Sequence, residues 1–405
     1  MFKKVIILGN GYSAQLAAIA LHPIIKDITI VSPKKDLVAN PIDLRGQSAH
    51  SHIFLPRLQR ELLNIDPEIL QELSELGHKF VPGSNRLKQN VPMGCNRLFL
   101  TRWQFDLAIN TIFNKRVNAS CVNDKIVKMD KIDTTQTLLA MDSGRLIKVD
   151  NTTLIIDGMG TNSPCILPFM KECKDVIEEK GNVVYLTQFF QLSSSSDISS
   201  LPDPIFDCAH NFGNAYIMLY PANDLWFTVT IAINDANKPL IKKLRNSDSF
   251  YKYCKESPHI KKWLKKSKMI GPNRIYINPK NRWNVPIFQS GIAPPNYIAI
   301  GDALTSMLPT LGANCSFTAT HIRILRDLIL SPKGLDQTIF AKQVKKEQFA
   351  FFQNALESKI QNGEFISYAQ APQNRLLKRL KKLIRKTIGL DIKRIKKHLI
   401  DTSSL

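Results

Sequence analysis

Two short segments carry the residue types and spacings best suited to chemistry. Near the start, Val5-Ile6-Ile7-Leu8-Gly9-Asn10-Gly11-Tyr12-Ser13-Ala14 reads as a buried strand turning sharply into a helix. Gly9 permits the tight turn, Gly11 lets the backbone approach a pyrophosphate, and the small Ala14 lets helix and strand pack closely. The first helical turn, Ser13 included, offers N–H donors and a favourable dipole to phosphate oxygens. Toward the other end, Tyr297-Ile298-Ala299-Ile300-Gly301-Asp302-Ala303, followed by Pro309 and Gly312, reads as a second strand–turn–helix. Asp302 stands at a strand end, where its carboxylate can accept hydrogen bonds from the hydroxyls of a cofactor's sugar chain. Each segment has a plainer reading, an ordinary glycine turn and a helix-capping Asp. Together they predict one flavin site assembled from both ends of the chain, and therefore redox chemistry.

One element of a dinucleotide site is missing. The second strand should end in an acid that holds the adenosine ribose. Here residues 28–31 run on into Ser32-Pro33-Lys34-Lys35. Ser32 can supply one hydrogen bond, and either lysine can reach a phosphate. The departure leaves open which dinucleotide is bound.

The elements that must position these residues are legible in outline. Residues 5–8, a short apolar run, predict a parallel strand buried on both faces. Residues 13–21 predict a helix and residues 28–31 the next strand, completing a βαβ unit. Asp66-Pro67-Glu68 starts a helix that runs to about residue 76, where Gly77 ends it. Residues 153–156 form another apolar strand, ending at Asp157-Gly158. Residues 183–190, 216–220 and 225–233 are strand-like, with a hairpin turn at residues 221–224, and predict an antiparallel sheet inserted into a parallel-sheet domain. Residues 193–200 form a Ser-rich loop, residues 242–266 are basic and helical in pattern, and a helix follows at about 315–330.

The bulk numbers set bounds. The 405 residues suffice for a large core and one or two domains, and the apolar share of 44% is ordinary for a globular protein. Seven scattered cysteines without a CxxC pair point to reduced thiols in a cytoplasmic setting. The apolar stretch after Lys3-Lys4 mimics a signal peptide, but Gly9-Asn10-Gly11 interrupts it where a nucleotide-binding turn belongs. The net charge is +21, and residues 375–400 hold 11 Lys/Arg against one acid, Asp391. Their apolar residues, Leu376, Leu377, Leu380, Leu383, Ile384 and Ile388, recur at helical spacing. This tail reads either as a solvated helix packed on the body or as a peripheral helix on an anionic membrane surface. Nucleic acid is disfavoured, because aromatic residues are lacking among the basic ones.

Further segments carry a resemblance. Gln47-Ser48-Ala49-His50-Ser51-His52-Ile53-Phe54-Leu55 resembles the Gln-x-x-His-x-His segment of flavoprotein monooxygenases of the para-hydroxybenzoate hydroxylase class, in the subgroup similar to squalene monooxygenase. Leu100-Thr101-Arg102-Trp103-Gln104-Phe105 is similar to the class's Ser-Arg segment, whose Arg lies near the flavin. Asp157-Gly158-Met159-Gly160-Thr161-Asn162-Ser163 resembles its Asp-x-x-Gly-x-x-Ser turn, and Asn281-Arg282-Trp283 a subgroup signature. Gly301-Asp302-Ala303, with Pro309, Gly312 and Ala319, is similar to the class's second flavin motif. The order and spacing hold across about residues 3–330. Three positions depart from the pattern: Ala49 replaces a frequent Arg, Asn284 stands where Arg often follows the Trp, and Asn314 replaces a second glycine. The Trp-x-Trp-x-x-Pro motif of flavin-dependent halogenases is absent.

The resemblance implies an α/β fold: a Rossmann-like FAD-binding domain of the GR2 type, an inserted antiparallel β-sheet substrate domain and a helical C-terminal tail. The expected division is 1–70, 96–170 and 285–370 for the FAD domain, 71–95 and 171–284 for the substrate domain, and 371–405 for the tail. FAD would lie along Gly9, Gly11, Ser13, Ala14, Ser32, Arg102, Asp157, Gly301, Asp302, Gly312, Ala313 and Asn314. Arg45, Gln47, His50 and Pro309 are the candidates near the flavin ring, although Arg45 and Gln47 read equally as a surface turn. No obligatory acid–base residue is named. On a strand, His50 and His52 would face opposite sides, which disfavours a joint metal site and leaves one facing the flavin cavity. His321 reads as a packing or surface residue. The implied activity is hydroxylation or epoxidation of a small apolar or aromatic molecule with molecular oxygen, through a flavin C4a-hydroperoxide. Electrons would come from NAD(P)H or a separate flavin reductase. The alternatives are a flavin-dependent reductase of prenyl-type double bonds, a halogenase-like enzyme, and a degenerate flavin-binding, membrane-associated protein without activity.

Overall fold

The structure is a computed structural model. It describes residues 2–33, 46–52, 54–78, 80–81, 97–98, 100–133, 135–194, 200–202, 208–213, 215–222, 225–277, 280–309 and 312–357. Lys34, Lys35, Arg45, most of the Ser-rich loop and the basic tail 371–405 lie outside the described residues, as does the side chain of Gln47.

Five parallel strands form the central sheet, in the order Tyr297–Ala299, Thr153–Asp157, Lys4–Leu8, Asp27–Val31, Ser120–Val122. Val5, Ile6, Ile7 and Leu8 are all buried, as a strand covered on both faces requires. Because the strands are parallel, their carboxyl ends share one edge, where open α/β sheets bind ligands. Three bonds extend the ladder into the turns at that edge. Gly9 N–H donates to Val31 O (2.8 Å), Gly158 N–H to Leu8 O (2.9 Å) and Ile300 N–H to Asp157 O (2.9 Å). Helix Tyr12–Leu21 packs between helices Arg102–Arg116 and Asn314–Leu330. The helix expected after Asp66 spans Pro67–Glu75, with the Asp66 carboxylate accepting from Glu68 N–H and Gly77 at φ +84°. An antiparallel meander, Ile126–Lys131, Gln136–Met141 and Leu146–Asp150, links the edge strand to Thr153–Asp157.

The inserted sheet is antiparallel, in the order Ala209–Asn211, Ala215–Pro221, Trp226–Asn234, Val183–Leu192, Ser267–Ile277. Side chains alternate between its faces with a period of two. Leu186, Phe190, Ile217, Leu219, Val229 and Ile231 pack on Phe250, Ile260 and Trp263 of the helices behind the sheet. The basic stretch at 242–266 belongs to three short helices, Lys238–Leu244, Ser247–Cys254 and Pro258–Lys265. Asn237, Asn246 and Ser257 cap their N-termini and so break the run. A small sheet, Ile177–Lys180, Lys280–Trp283 and Thr305–Ser306, stitches the insertion to the body. No helix among the described residues is long and apolar enough to cross a membrane.

Helix Asn314–Leu330 is anchored from behind by four alternating charges. Arg57 contacts Glu61 (3.2 Å) and Glu347 (2.6 Å), and Arg323 contacts Glu61 (2.6 Å) and Glu347 (2.7 Å). The ring ties together helices Pro56–Ile65, Asn314–Leu330 and Gln337–Glu357. Glu61→Gln leaves Arg57 with Glu347 alone and Arg323 with Glu347 and Asp327, a loss of about 3 kcal/mol for a broken buried pair. Denaturant unfolding checks this, and a loss under about 1 kcal/mol would contradict it.

His321 lies fully buried in the same helix. Its Nδ1 accepts from Gly301 N–H (3.1 Å), so the proton sits on Nε2, 2.9 Å from Gln348 Oε1. Burial lowers its pKa from 6.5 to about 4, against the opposing Gln348 bond and with help from Arg57. The unfolded chain takes up this proton near pH 6.5, and the native chain only near pH 4. Stability from this group is therefore complete above pH 6.5 and declines as pH falls toward 4. From pH 7 to 5, His321→Gln should remove about 2 kcal/mol of the acid-induced loss. Urea midpoints at the two pH values give the test, and an unchanged loss in the variant would exclude the assignment.

Candidate active site

The two motif turns meet. Gly9 has φ +100°, and a Cβ there would lie 3.0 Å from Gly158 O. Gly158 in turn packs on Ala14, where its own Cβ would fall 3.3 Å from Ala14 N. Gly301 has φ +60°, and a Cβ there would collide with Ser13 Oγ and reach within 3.2 Å of Thr318 Oγ1. Tyr12 OH donates to Cys315 O (3.1 Å), joining the first turns of helices Tyr12–Leu21 and Asn314–Leu330. No side chain caps either helix. Both N-termini, each with its share of positive dipole, are thus set side by side. Gly11 differs from its neighbours: it is exposed, and a Cβ built on it meets nothing within 4 Å. Packing within the protein does not demand glycine there. Close approach of a ligand would.

Arg102 enters from the helix beside these turns. A capping box fixes that helix start: Gln104 N–H donates to Thr101 Oγ1 (3.1 Å) and Thr101 N–H to Gln104 Oε1 (3.0 Å). Arg102 Nε donates to Asp106 Oδ1 (2.7 Å), and its guanidinium lies 5.4 Å from the Tyr12 ring centre. Burial alone would lower its pKa, but Asp106, Cys315 and Asp302 together outweigh burial and raise it. Arg102 also lies 3.4 Å from His52 Nε2 and donates to Cys315 Sγ (3.3 Å). Since Arg102 can only donate, the His52 proton sits on Nδ1. That Nδ1 is buried and has no partner among the described residues. Burial, then Arg102 and His50, lowers the His52 pKa to about 3, so the ring stays neutral.

Asp157 is fully buried. Its carboxylate accepts from Met159 N–H (3.0 Å), Tyr297 OH (2.7 Å) and the Ser163 hydroxyl. These bonds brace the turn that packs on Gly9 and Ala14. Burial raises its pKa, opposed by the same hydrogen bonds. Ser32 stands at the end of the second strand, its hydroxyl 3.3 Å from Pro33 O.

Between the turns and the inserted sheet lies an open cavity. From the body it is lined by Asp302, Ser306, Met307, Pro309 and the stretch Gly312, Ala313, Asn314 and Cys315. From the sheet it is lined by Tyr185, Thr187, Met218, Tyr220, Thr230 and Tyr276. Tyr185, Met218 and Tyr220 of the strand-like segments thus reach the cavity. Phe189 instead packs with Ala49, and Phe227 belongs to the core behind the sheet. His50 and His52 both line the cavity. The expectation of opposite faces fails because the segment is not a strand: it is irregular chain following the short turn Gly46–Ala49. Burial, then Arg274, lowers the His50 pKa to about 4.

The departures from the motif pattern have structural work. Asn314 clasps Met307 at two points, accepting from its N–H (3.2 Å) and donating to its carbonyl (3.0 Å). This bond pair closes the base of the loop that carries Pro309 and Gly312. Asn281 Oδ1 accepts from Leu308 N–H (2.9 Å), and Asn284 Nδ2 donates to Ala303 O (2.8 Å). Asn284 and His321 therefore hold the turn bearing Asp302 from two sides. His321 could have been suspected from its place on a helix facing the motif; Thr187 and Thr230 carry no such signal.

No protein-family model matches the sequence, and no curated protein matches it. Solved structures do. The flavin-dependent halogenase CmlS superposes with a TM-score of 0.65 at 14% identity, covering 94% of this chain and 70% of that one. The flavin-dependent brominase Bmp2, as a triple mutant, gives 0.63 at 14% identity, with 99% of both chains covered. The tetrameric form of 2-methyl-3-hydroxypyridine-5-carboxylic acid oxygenase gives 0.59 at 13%, covering 87% of this chain and 88% of that one. The chain thus has the mixed α/β fold of these halogenases and of this oxygenase, with a parallel central sheet and an added antiparallel one.

Proposed function

We propose that this chain is an FAD-dependent oxidoreductase of the monooxygenase type, acting on a small molecule held under the inserted sheet. The observation that carries this reading is the contact of Gly301 with Ser13, which brings two distant phosphate- and sugar-binding turns to one sheet edge. The residues fit an extended dinucleotide. The uncapped helix start at Gly11 receives the pyrophosphate. Asp302 would hold the ribityl hydroxyls, Ser32 and Arg102 would border the nucleotide end and the flavin, and the Gly312–Asn314 stretch would lie beside the ring. Asp157 acts indirectly, through the turn it braces. Bound FAD would supply electron transfer and the activation of oxygen. The protein excludes water with Tyr185, Met218, Tyr220 and Tyr276, and the neutral His50 and His52 add no positive charge to the cavity. The electron donor is NAD(P)H or a partner flavin reductase.

Halogenation is the second reading, since flavin-dependent halogenases share this fold with the oxygenase. Product analysis with and without bromide separates the two: incorporation of bromine selects the second, insertion of oxygen the first.

Gly11→Val gives the sharpest check on the cofactor. Gly11 has φ −89° and ψ −176°, a conformation valine adopts, and the protein leaves its Cβ unobstructed. Thermal stability of the FAD-free chain should therefore stay within a degree or so, while FAD affinity falls at least about tenfold, or about 1.4 kcal/mol. Asp302→Asn should weaken FAD by a similar factor. A chain that binds no FAD, or a Gly11→Val variant that binds it normally, would overturn the reading.

A further inference from the structure

The cavity has an unusual charge character. The chain carries a net charge of +21, yet none of the described residues lining the cavity is Lys or Arg. Asp302 is the one charged side chain among them. No cationic side chain in the lining offsets an entering anion, which would face a carboxylate, a costly arrangement once water is excluded; Arg102, behind His52 and Cys315, is already paired with Asp106.

The wall opposite Asp302 is polar without being charged. Thr187 and Thr230 face each other on adjacent strands, with their hydroxyl oxygens 2.8 Å apart. Thr230 donates to Ser51 Oγ (2.6 Å), Ser51 donates to Thr228 Oγ1 (2.6 Å), and His50 Nδ1 lies 3.2 Å from Thr187 Oγ1. The three threonines are at most 5% exposed. Strand positions facing a purely apolar ligand would carry Val or Ile; here threonines form a connected chain, and Thr187, Thr230, Ser51 and His50 all reach the cavity surface. Each hydroxyl both donates and accepts, so the chain can reorient its protons to meet either a hydroxyl or a carbonyl. Tyr185, Tyr276, Met218 and Tyr220 surround this ridge with aromatic and thioether surface.

We infer that the cavity takes an uncharged molecule with an apolar, ring-bearing body and one hydroxyl or carbonyl oxygen docked on the Thr187–Thr230–Ser51 chain, and that it rejects carboxylates. This rests on the reading of the cavity as the substrate site of a flavoenzyme. It also sets the chain apart from a binder of aromatic acids of the same fold.

The test uses the full chain, with and without added FAD, and three probes of one shape: 1-naphthol, 1-naphthoate and naphthalene. Binding is measured by calorimetry. The native chain should bind naphthol at least about tenfold more tightly than naphthoate. The Thr187→Val/Thr230→Val double variant should lose about tenfold for naphthol and less than twofold for naphthalene. Ser51→Ala, a milder change, should lose part of the naphthol affinity in the same selective way. Naphthoate binding as tightly as naphthol, no binding of either, or equal losses for naphthol and naphthalene would each overturn the inference. FAD uptake is read separately from flavin absorbance. A chain that selects naphthol but stays colourless supports the inference about the cavity and sinks the enzyme reading.

Discussion

The contact between Gly301 and Ser13 leaves no space for a side chain, and the rest of the site depends on it. Gly301 ends the last parallel strand, and Ser13 begins the first helix. Their contact aligns two sheet-edge turns that sequence separates by most of the chain. The left-handed φ of Gly301 turns the backbone at once, so that Asp302 faces the cavity instead of continuing the strand. His321 takes the Gly301 N–H and Asn284 takes the Ala303 carbonyl, leaving this turn little freedom. Behind it, the ring of Arg57, Glu61, Arg323 and Glu347 fixes the helix that carries His321. Positioning thus runs from buried charges, through a neutral histidine, to a carboxylate at the cavity rim.

The inserted sheet makes the second half of the site from a different rule. Alternation along its strands sends Ile217 and Leu219 to the helices behind, and Met218 and Tyr220 to the cavity. One strand therefore serves core and site together, and a register slip of one residue would exchange the two. The register of this strand is set by its pairing with Trp226–Asn234 on one side and Ala209–Asn211 on the other.

Much of this was legible in the residues. Runs such as Val5 to Leu8 announce a doubly buried strand, and Gly9-x-Gly11 announces the turn after it. The helix after Asp66 could be read from cap, proline and closing glycine, since those signals are local. Other features were not local. The meander at 126–150 consists of short strands mixed with charge, and periodicity offers no purchase on it. Strand alternation does not govern His50 and His52, because their segment is irregular chain. Asn314 read as a loss of glycine, whereas it replaces backbone freedom with a two-point side-chain clasp on Met307. The threonine chain is visible only when strands from separate parts of the sequence are brought into register.

Hydrogen–deuterium exchange of the full chain, with and without saturating FAD, tests most directly whether both ends of the chain grip one cofactor. Peptides covering residues 9–15 and 300–306 should both gain protection, with the same dependence on FAD concentration. Protection confined to one of the two, or absent from both, would contradict the account.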